Sequence, residues 1–584
     1  MKSSKSLLAV AVIAACAGFV SAQSWQWANA VTGTGNEVIK AVAADNAGNA
    51  YVTGYYKLST PAFGATALPY ADTSDAFIAK YNNSGQLQWA KRISNPKAKD
   101  AGLAIAVDPA GNIIVGGYLQ PNNTAYPLGD SAAPSYPSAL WKIEGDAFIA
   151  KYNPSGTPLW VKRVAAGTKS LDAVTGISID DAGNIYTSGY CYGGTTTATW
   201  VYYSDEMQVG DTIKNGNDGF AAKFDNNGNF IWFRMIKGNT QVNYAYDIAP
   251  DAQGNAYVVG LFRDTLKFGN TPYLRSKNSS NDAIFVTKLN ASDGTPAWIK
   301  AFTDSAGEGN FNTSMGCGIV AANGSVYIAG QFKRYLGLGS TVIRLSKTQN
   351  PCGFLAKLKA TDGSTIAAYK MLDTIGAASR ITDVVLKNNL FLLSGFYAGT
   401  IRFSSSIFTS SGATDQNPFI AALDTSFSEL WALSGTGSGS DSGFSVAVGK
   451  SSIFLGGCYK AATLTFTGVT PALTNATTTA NNGFIASAAW ASAIRYDARQ
   501  ASRNSPALRI LSGADLTVLV DNQSSGDLRA SLIDISGRVA ASQRISREGR
   551  AAFGANGLAP GRYIVRVTAG GKPLYSCECV ISGM

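Results

Sequence analysis

Histidine is missing altogether, with none among 584 residues. That absence excludes Ser-His-Asp and Cys-His nucleophile systems and every zinc site with an imidazole ligand. Charge is sparse as well, at 15%, and the net +10 comes without the dense Lys/Arg run that lines a nucleic-acid groove. Nucleic acid is therefore not expected as a partner. The one long apolar run, Leu7–Val20, is too short for a stable span, so no transmembrane segment is expected in the mature chain. Stretches rich in Glu, Lys and Leu are scarce. What fills the chain is 62 glycines, 26 Phe and 26 Tyr, with short Val/Ile/Thr/aromatic runs between Gly/Asn/Asp/Ser clusters. That pattern predicts an all-β fold.

The first residues predict export. Lys2 and Lys5 precede the apolar run, and Val20-Ser21-Ala22 supplies a small-residue cleavage site before Gln23, so residues 1–22 read as a secretory signal peptide. Ile13-Ala14-Ala15-Cys16 also reads as a lipobox, which would leave Cys16 as a lipid-bearing N-terminus. Both cleavage patterns are present. Either way the protein is expected to be secreted or on the cell outer surface.

A long-period repeat then sets the architecture. Asp75-Ala-Phe-Ile-Ala-Lys-Tyr81, followed by a turn at Gly85 and by Leu87-Gln-Trp-Ala-Lys91, returns at Asp146–Tyr152 with Trp160 and at Asp218–Phe224 with Trp232. Later copies centre on Phe285, Phe354, Phe419 and Phe484. Between them lies a second element, Asp45-Asn-Ala-Gly-Asn-Ala-Tyr-Val-Thr-Gly54, which recurs from Asp108, Asp180 and Asp251 and in weaker form near Asn323, Asn388 and Ser452. Each unit thus holds four strands: A before the Asp turn, B after it, C with the Phe and Lys, and D with the Trp. Glycine in the connecting turns accepts positive φ, which marks tight hairpins. Trp25-Gln-Trp-Ala28 is a strand D without a strand C, and Gly483-Phe-Ile-Ala486 a strand C without a clear strand D. Pairing the two closes a ring of seven units and leaves no open edge. Residues 23–490 are expected to form a seven-bladed β-propeller.

These residues resemble the SBBP-type bacterial β-propeller repeat, over roughly residues 24–490. The resemblance implies an extracellular propeller and no particular reaction. After Trp490 the repeat stops and Arg replaces Lys almost completely. Residues 491–507 read as a linker, and residues 508–584 as a small C-terminal β-sandwich. Leu532-Ile-Asp-Ile-Ser-Gly-Arg-Val539 and Leu558-Ala-Pro-Gly-Arg-Tyr-Ile-Val-Arg-Val567 resemble the C-terminal sorting domain of type IX secretion substrates, which implies the secretion machinery as a partner. Cys577 and Cys579 depart from that pattern. A generic carbohydrate-binding or Ig-like module is the alternative for this segment.

Without histidine, catalysis would fall to carboxylates, Tyr, Lys and Arg. The recurring Asp45, Asp108, Asp180 and Asp251 are read as turn caps. The strand-C lysines (Lys80, Lys151, Lys223, Lys288 and Lys357) are read as solvated strand ends, with a basic stripe for an anionic polymer as the alternative. Trp89, Trp160, Trp232 and Trp298 are read as packing between units. Cys191 and Cys458, at equivalent positions of distant units, are expected not to bond each other, and Cys317–Cys352 is the one pair in the repeat region with a chance to form. The candidate binding site is placed on two insertions after strand B, residues 119–145 with Tyr126, Tyr136 and Trp141, and residues 191–217 with Tyr192, Trp200, Tyr202 and Tyr203. No catalytic residue, metal ligand or cofactor is assigned. The function expected is non-enzymatic binding or adhesion toward a glycan or protein ligand; the alternative is a carbohydrate-active enzyme with a carboxylate pair in the propeller funnel.

Overall fold

The computed structural model describes residues 23–490 apart from 94–98, 121–144, 166–171, 194–198, 204–206, 214–215, 239–241, 269–273, 276–281, 303–314, 340, 346–349, 374–377 and 404–405. Beyond these it describes 508–512, 515–520, 528–534, 539–546, 550–554, 561–569 and 572–581. The described elements are all strands, and among the described residues no helix is long and apolar enough to cross a membrane. Two compact units emerge, one over Ser21–Ala491 and one containing Ser492–Met584.

The large unit is a β-propeller. In the first repeat the strands Asn36–Ala44, Ala50–Lys57, Asp75–Tyr81 and Leu87–Ile93 pair in chain order into one antiparallel sheet, and the later repeats build equivalent sheets. Strands B and C are buried along almost their whole length, as in Asp75–Tyr81, where Lys80 alone is not buried. This is why they read as continuous apolar runs rather than as alternation. The A strands face the axis. Asn36–Ala44 touches Ala101–Val107, and contact passes on through Ala173–Ile179, Asn243–Pro250, Met315–Ala322, Ala378–Lys387 and Ser442–Val448, which returns to Asn36–Ala44. The ring is sealed by Trp25–Thr32, which pairs with Asn482–Ala489 with Ala28 opposite Ala486.

Each Asp turn is capped within its own sheet. Asp45 shows the pattern: Oδ1 accepts the Ala47 and Asn49 amides at 2.9 Å each, and Oδ2 accepts Asn49 Nδ2 at 2.7 Å and the Tyr51 hydroxyl at 3.0 Å. Asp180 and Asp251 repeat it with Tyr186 and Tyr257. The strand-D indoles donate to the next unit's C–D turn, Trp89 to Pro154 O at 3.3 Å, Trp232 to Ala291 O at 3.2 Å and Trp298 to Ala360 O at 3.1 Å. They pack between units, as the sequence suggested.

Two of the strand-C lysines differ from the reading as solvated ends. Lys151 and Lys223 are only 4% and 7% exposed. Lys151 Nζ is ion-paired to Asp108 Oδ2 at 2.9 Å and donates to Asn226 O of the next unit at 2.9 Å. Lys223 donates to Ala291 O at 3.3 Å and lies over Tyr186. These amines tie one unit's Asp turn to the next unit's C–D turn, so they are neither solvated ends nor a stripe facing a polymer.

In the smaller unit, Leu508–Ser512, Asp515–Val520 and Arg550–Gly554 form one sheet. Val539–Arg544, Leu528–Asp534, Gly561–Ala569 and Lys572–Ile581 form another, in that spatial order. Leu528, Ala530 and Leu532 are buried at alternate positions, the period of a strand with one covered face. Cys577 and Cys579 pair across to Val565 and Tyr563.

Candidate functional site at the channel mouth

Each inner A strand carries one extra residue at the same place. Pairing with strand B shifts register between Ile39 and Ala41, and again between Gly102 and Ala104, Val174 and Gly176, and Ala245 and Asp247. The remaining repeats shift between Gly316 and Gly318, Ile381 and Asp383, and Gly443 and Ser445. A bulge of this kind re-aims the extra side chain out of the sheet. Here every extra residue is half-buried and lines one axial cavity of about 470 Å³. Leu103 and Phe444 supply apolar surface; Thr175, Tyr246, Cys317 and Thr382 supply hydroxyls and a thiol; Lys40 supplies a charge.

The next residue along three of these strands ties unit to unit. Asp247 Oδ2 accepts the Ile319 amide at 3.0 Å, and Asp383 Oδ2 accepts the Val446 amide at 3.0 Å and the Ser445 hydroxyl at 2.9 Å. Ser445 Oγ in turn accepts the Val42 amide at 3.2 Å. Burial, with the charge of Asp383 added, pushes the Asp247 carboxyl up to about 8. Burial also raises Asp383.

Antiparallel pairing fixes which connections share the mouth. Strand A starts, strand B ends and strand C starts on the same face, so the B–C and D–A connections emerge there, while the tight Asp turns occupy the other. Around that mouth runs a belt of half-buried aromatics. Tyr55, Tyr118 and Tyr190 each follow a strand-B glycine. Lys40 Nζ lies 4.4 Å from the Phe444 ring centroid and 5.9 Å from that of Tyr55. Tyr118 lies within electrostatic reach of both Tyr55 and Tyr190, and burial pushes its hydroxyl up to about 12. Tyr190 meets Tyr244 edge-on at 5.0 Å, and Tyr244 stacks on Tyr246 at 5.9 Å. Arg380 Nη2 donates to Cys317 Sγ at 3.3 Å on the far side.

Of the residues singled out by sequence, Tyr126, Tyr136 and Trp141 lie outside the described residues. Tyr192 is half-buried near the end of Ile185–Gly193, its amide donating to Asp172 Oδ1 at 2.8 Å. Trp200, Tyr202 and Tyr203 lie on Thr199–Tyr203, which pairs with Met207–Ile213 and touches Pro158–Ala165 of the preceding unit. Equivalent B–C hairpins pair directly with a neighbour's strand D: Ala62–Phe63 with Trp25–Thr32, Thr265–Lys267 with Phe230–Gly238, and Thr463–Phe466 with Glu429–Thr436. Covering that outer edge is a structural task for these insertions.

The bulge ring was missed, although a signal existed. Aligning the first four repeats on the turn Asp puts Lys40, Leu103, Thr175 and Tyr246 all five residues before it. That position varies widely in chemistry inside an otherwise repeated pattern. Cys191 and Cys458 are buried free thiols, as expected. Cys352 Sγ contacts Met371 O at 3.2 Å.

No family model matches the chain. An uncharacterised WD-repeat-containing protein of Acanthamoeba polyphaga mimivirus is 26% identical over 232 residues, 36% of this chain and 16% of that protein. The match therefore spans well under a fifth of the relative's length. Among solved structures, BamB from Moraxella catarrhalis aligns over 62% of this chain and 96% of its own at 12% identity and a TM-score of 0.26. A Synechocystis apocarotenoid oxygenase variant aligns over 80% and 94% at 11% identity and a TM-score of 0.35.

Proposed function

We propose that this chain is an exported, non-enzymatic recognition protein that binds a glycan through one mouth of a seven-bladed propeller. The observation that carries the reading is the aromatic belt from Tyr55 to Tyr246, half-buried at the mouth instead of packed in the core, with Tyr246 and Phe444 of the bulge ring also lining the axial cavity of about 470 Å³. Such rings offer flat apolar faces to sugar rings, and a volume of that size fits a small ligand. The blade count is supported by the four-strand sheets and by the unbroken circuit of A-strand contacts. The signal-peptide reading of residues 1–22, or lipid attachment at Cys16, carries the proposal of a surface or secreted location. The resemblance of residues 508–584 to a sorting domain carries that of a terminal β-sandwich engaging the secretion machinery.

The test is a glycan-array screen of the full mature chain. Tyr190→Ala should weaken capture about tenfold while leaving the melting temperature nearly unchanged, because a half-buried belt ring contributes to contact more than to core packing. A large fall in melting temperature would assign the ring to packing. Deleting residues 508–584 should leave the propeller folded but held in the periplasm; normal surface display of that variant would remove the sorting role.

One observation favours a second reading. Asp247 and Asp383 both reach the cavity, and a carboxyl near 8 is poised to donate a proton, as in glycoside hydrolysis. Both carboxylates accept backbone amides of the next unit, which favours a structural tie. Release of reducing sugar by the wild-type chain, lost in Asp383→Asn, would establish the enzyme.

A further inference from the structure

Two cations meet at the mouth without a carboxylate partner among the described residues. Lys40 and Arg380 are both half-buried, and each is near enough to the other for the charge of Arg380 to bear on Lys40. Among the described residues neither makes an ion pair. Arg380 donates one bond to Cys317, while its buried Nε has no partner. Lys40 rests on the rings of Phe444 and Tyr55.

Cys317 accepts the Arg380 bond and is the chief group favouring the charged form of that guanidinium; the other titratable groups that face the two cations supply no anion. Cys458 faces Lys40, and burial pushes its thiol up to about 12, so it stays protonated. Tyr246 faces Arg380, and burial holds its hydroxyl in the neutral form. Asp247 and Asp383 are committed to amides of the next unit. Removing charge from water without pairing it is costly, so a buried cation pair is normally completed by an anion.

We infer that the channel mouth takes an acidic saccharide, with the carboxylate set between Lys40 and Arg380 and the sugar ring against the aromatic belt. The inference rests on the glycan reading above and adds its charge class. A guanidinium and an ammonium recognise a carboxylate by charge-assisted hydrogen bonds, and Phe444 and Tyr55 already flank the ammonium.

The experiment is calorimetric titration of the full mature chain with a galacturonic acid disaccharide, the neutral galactose disaccharide of the same linkage, and inorganic sulfate. The acidic sugar should bind at least about tenfold more tightly than the neutral one, the usual scale of a charge-assisted pair, and should weaken as salt is added. Lys40→Gln and Arg380→Gln should abolish that preference while keeping or raising the melting temperature, since each removes an uncompensated charge; Lys40→Arg should retain it. Equal binding of the two disaccharides would overturn this inference and leave glycan recognition standing. Binding of neither would overturn both. Sulfate binding as tightly as the sugar acid would overturn the saccharide assignment, and a sharp loss of stability in both Gln variants would make the cations structural.

Discussion

At Lys151 a strand-end residue has become an internal bolt: its amine joins Asp108 of its own turn to Asn226 of the next unit. Because both charges are buried, Lys151→Met should destabilise the propeller by about 3–5 kcal/mol in urea titration, the cost of stranding one buried partner. Lys80 makes the equivalent bond to Pro154 O in an exposed setting, so Lys80→Met should cost less than about 1 kcal/mol. The turn glycines are equally particular. At Gly294, with φ +70°, an added Cβ would stand 2.6 Å from the Trp232 ring. Gly294→Ala should therefore cost about 1–3 kcal/mol and lower the melting temperature. The Asp caps and the Trp packing were legible in sequence, because turn chemistry and position in strand D define them locally. The lysines were misread for a physical reason: spacing locates a residue on its own strand, not beneath the carbonyl of a neighbouring turn.

Strands B and C were legible because burial on both faces writes itself as unbroken apolar runs between turn formers, and strand D because its Trp recurs at a fixed place. The bulges were not, since a single extra residue barely disturbs a seven- to ten-residue strand. Nor was the pairing of B–C hairpins with a neighbour's strand D, because strands as short as Ala62–Phe63 leave no periodic trace. The buried carboxyls also carry a pH dependence. Asp247 is raised to about 8, Asp146, Asp218 and Glu37 to about 7, and Asp441 to about 6, all chiefly by burial. A raised carboxyl binds its proton more tightly in the folded state, so the stability it contributes is full below the unfolded value near 4 and is lost as pH rises through the folded value. Asp45 and Asp108 are lowered by hydrogen bonds that outweigh their burial, with Lys151 adding to Asp108, and they act in the opposite sense, losing stability as pH falls below about 4. The melting temperature should thus peak in mildly acidic buffer and decline toward pH 8–9. Asp247→Asn should flatten that decline; an unchanged slope would show that the carboxyl titrates normally.

The whole ring depends on Trp25–Thr32. Its Trp25 indole donates to Ser434 O at 3.2 Å, 409 residues along the chain, and Trp27 donates to Asn83 O at 2.9 Å. Removing residues 23–32 should expose the full edge of Asn482–Ala489 and give an aggregating species by light scattering, while moving the same segment to follow Trp490 should restore solubility. That contact also sets a clock. A strand made first must wait for its partner Asn482–Ala489 made last, and at about 5–20 residues per second the roughly 460 residues from Trp25 to Ala488 take about 20–90 s to synthesise. During that interval the nascent chain holds most of its sheets but not its seam. It is therefore exposed to proteases and holding chaperones for longer than a protein built from independently closing domains.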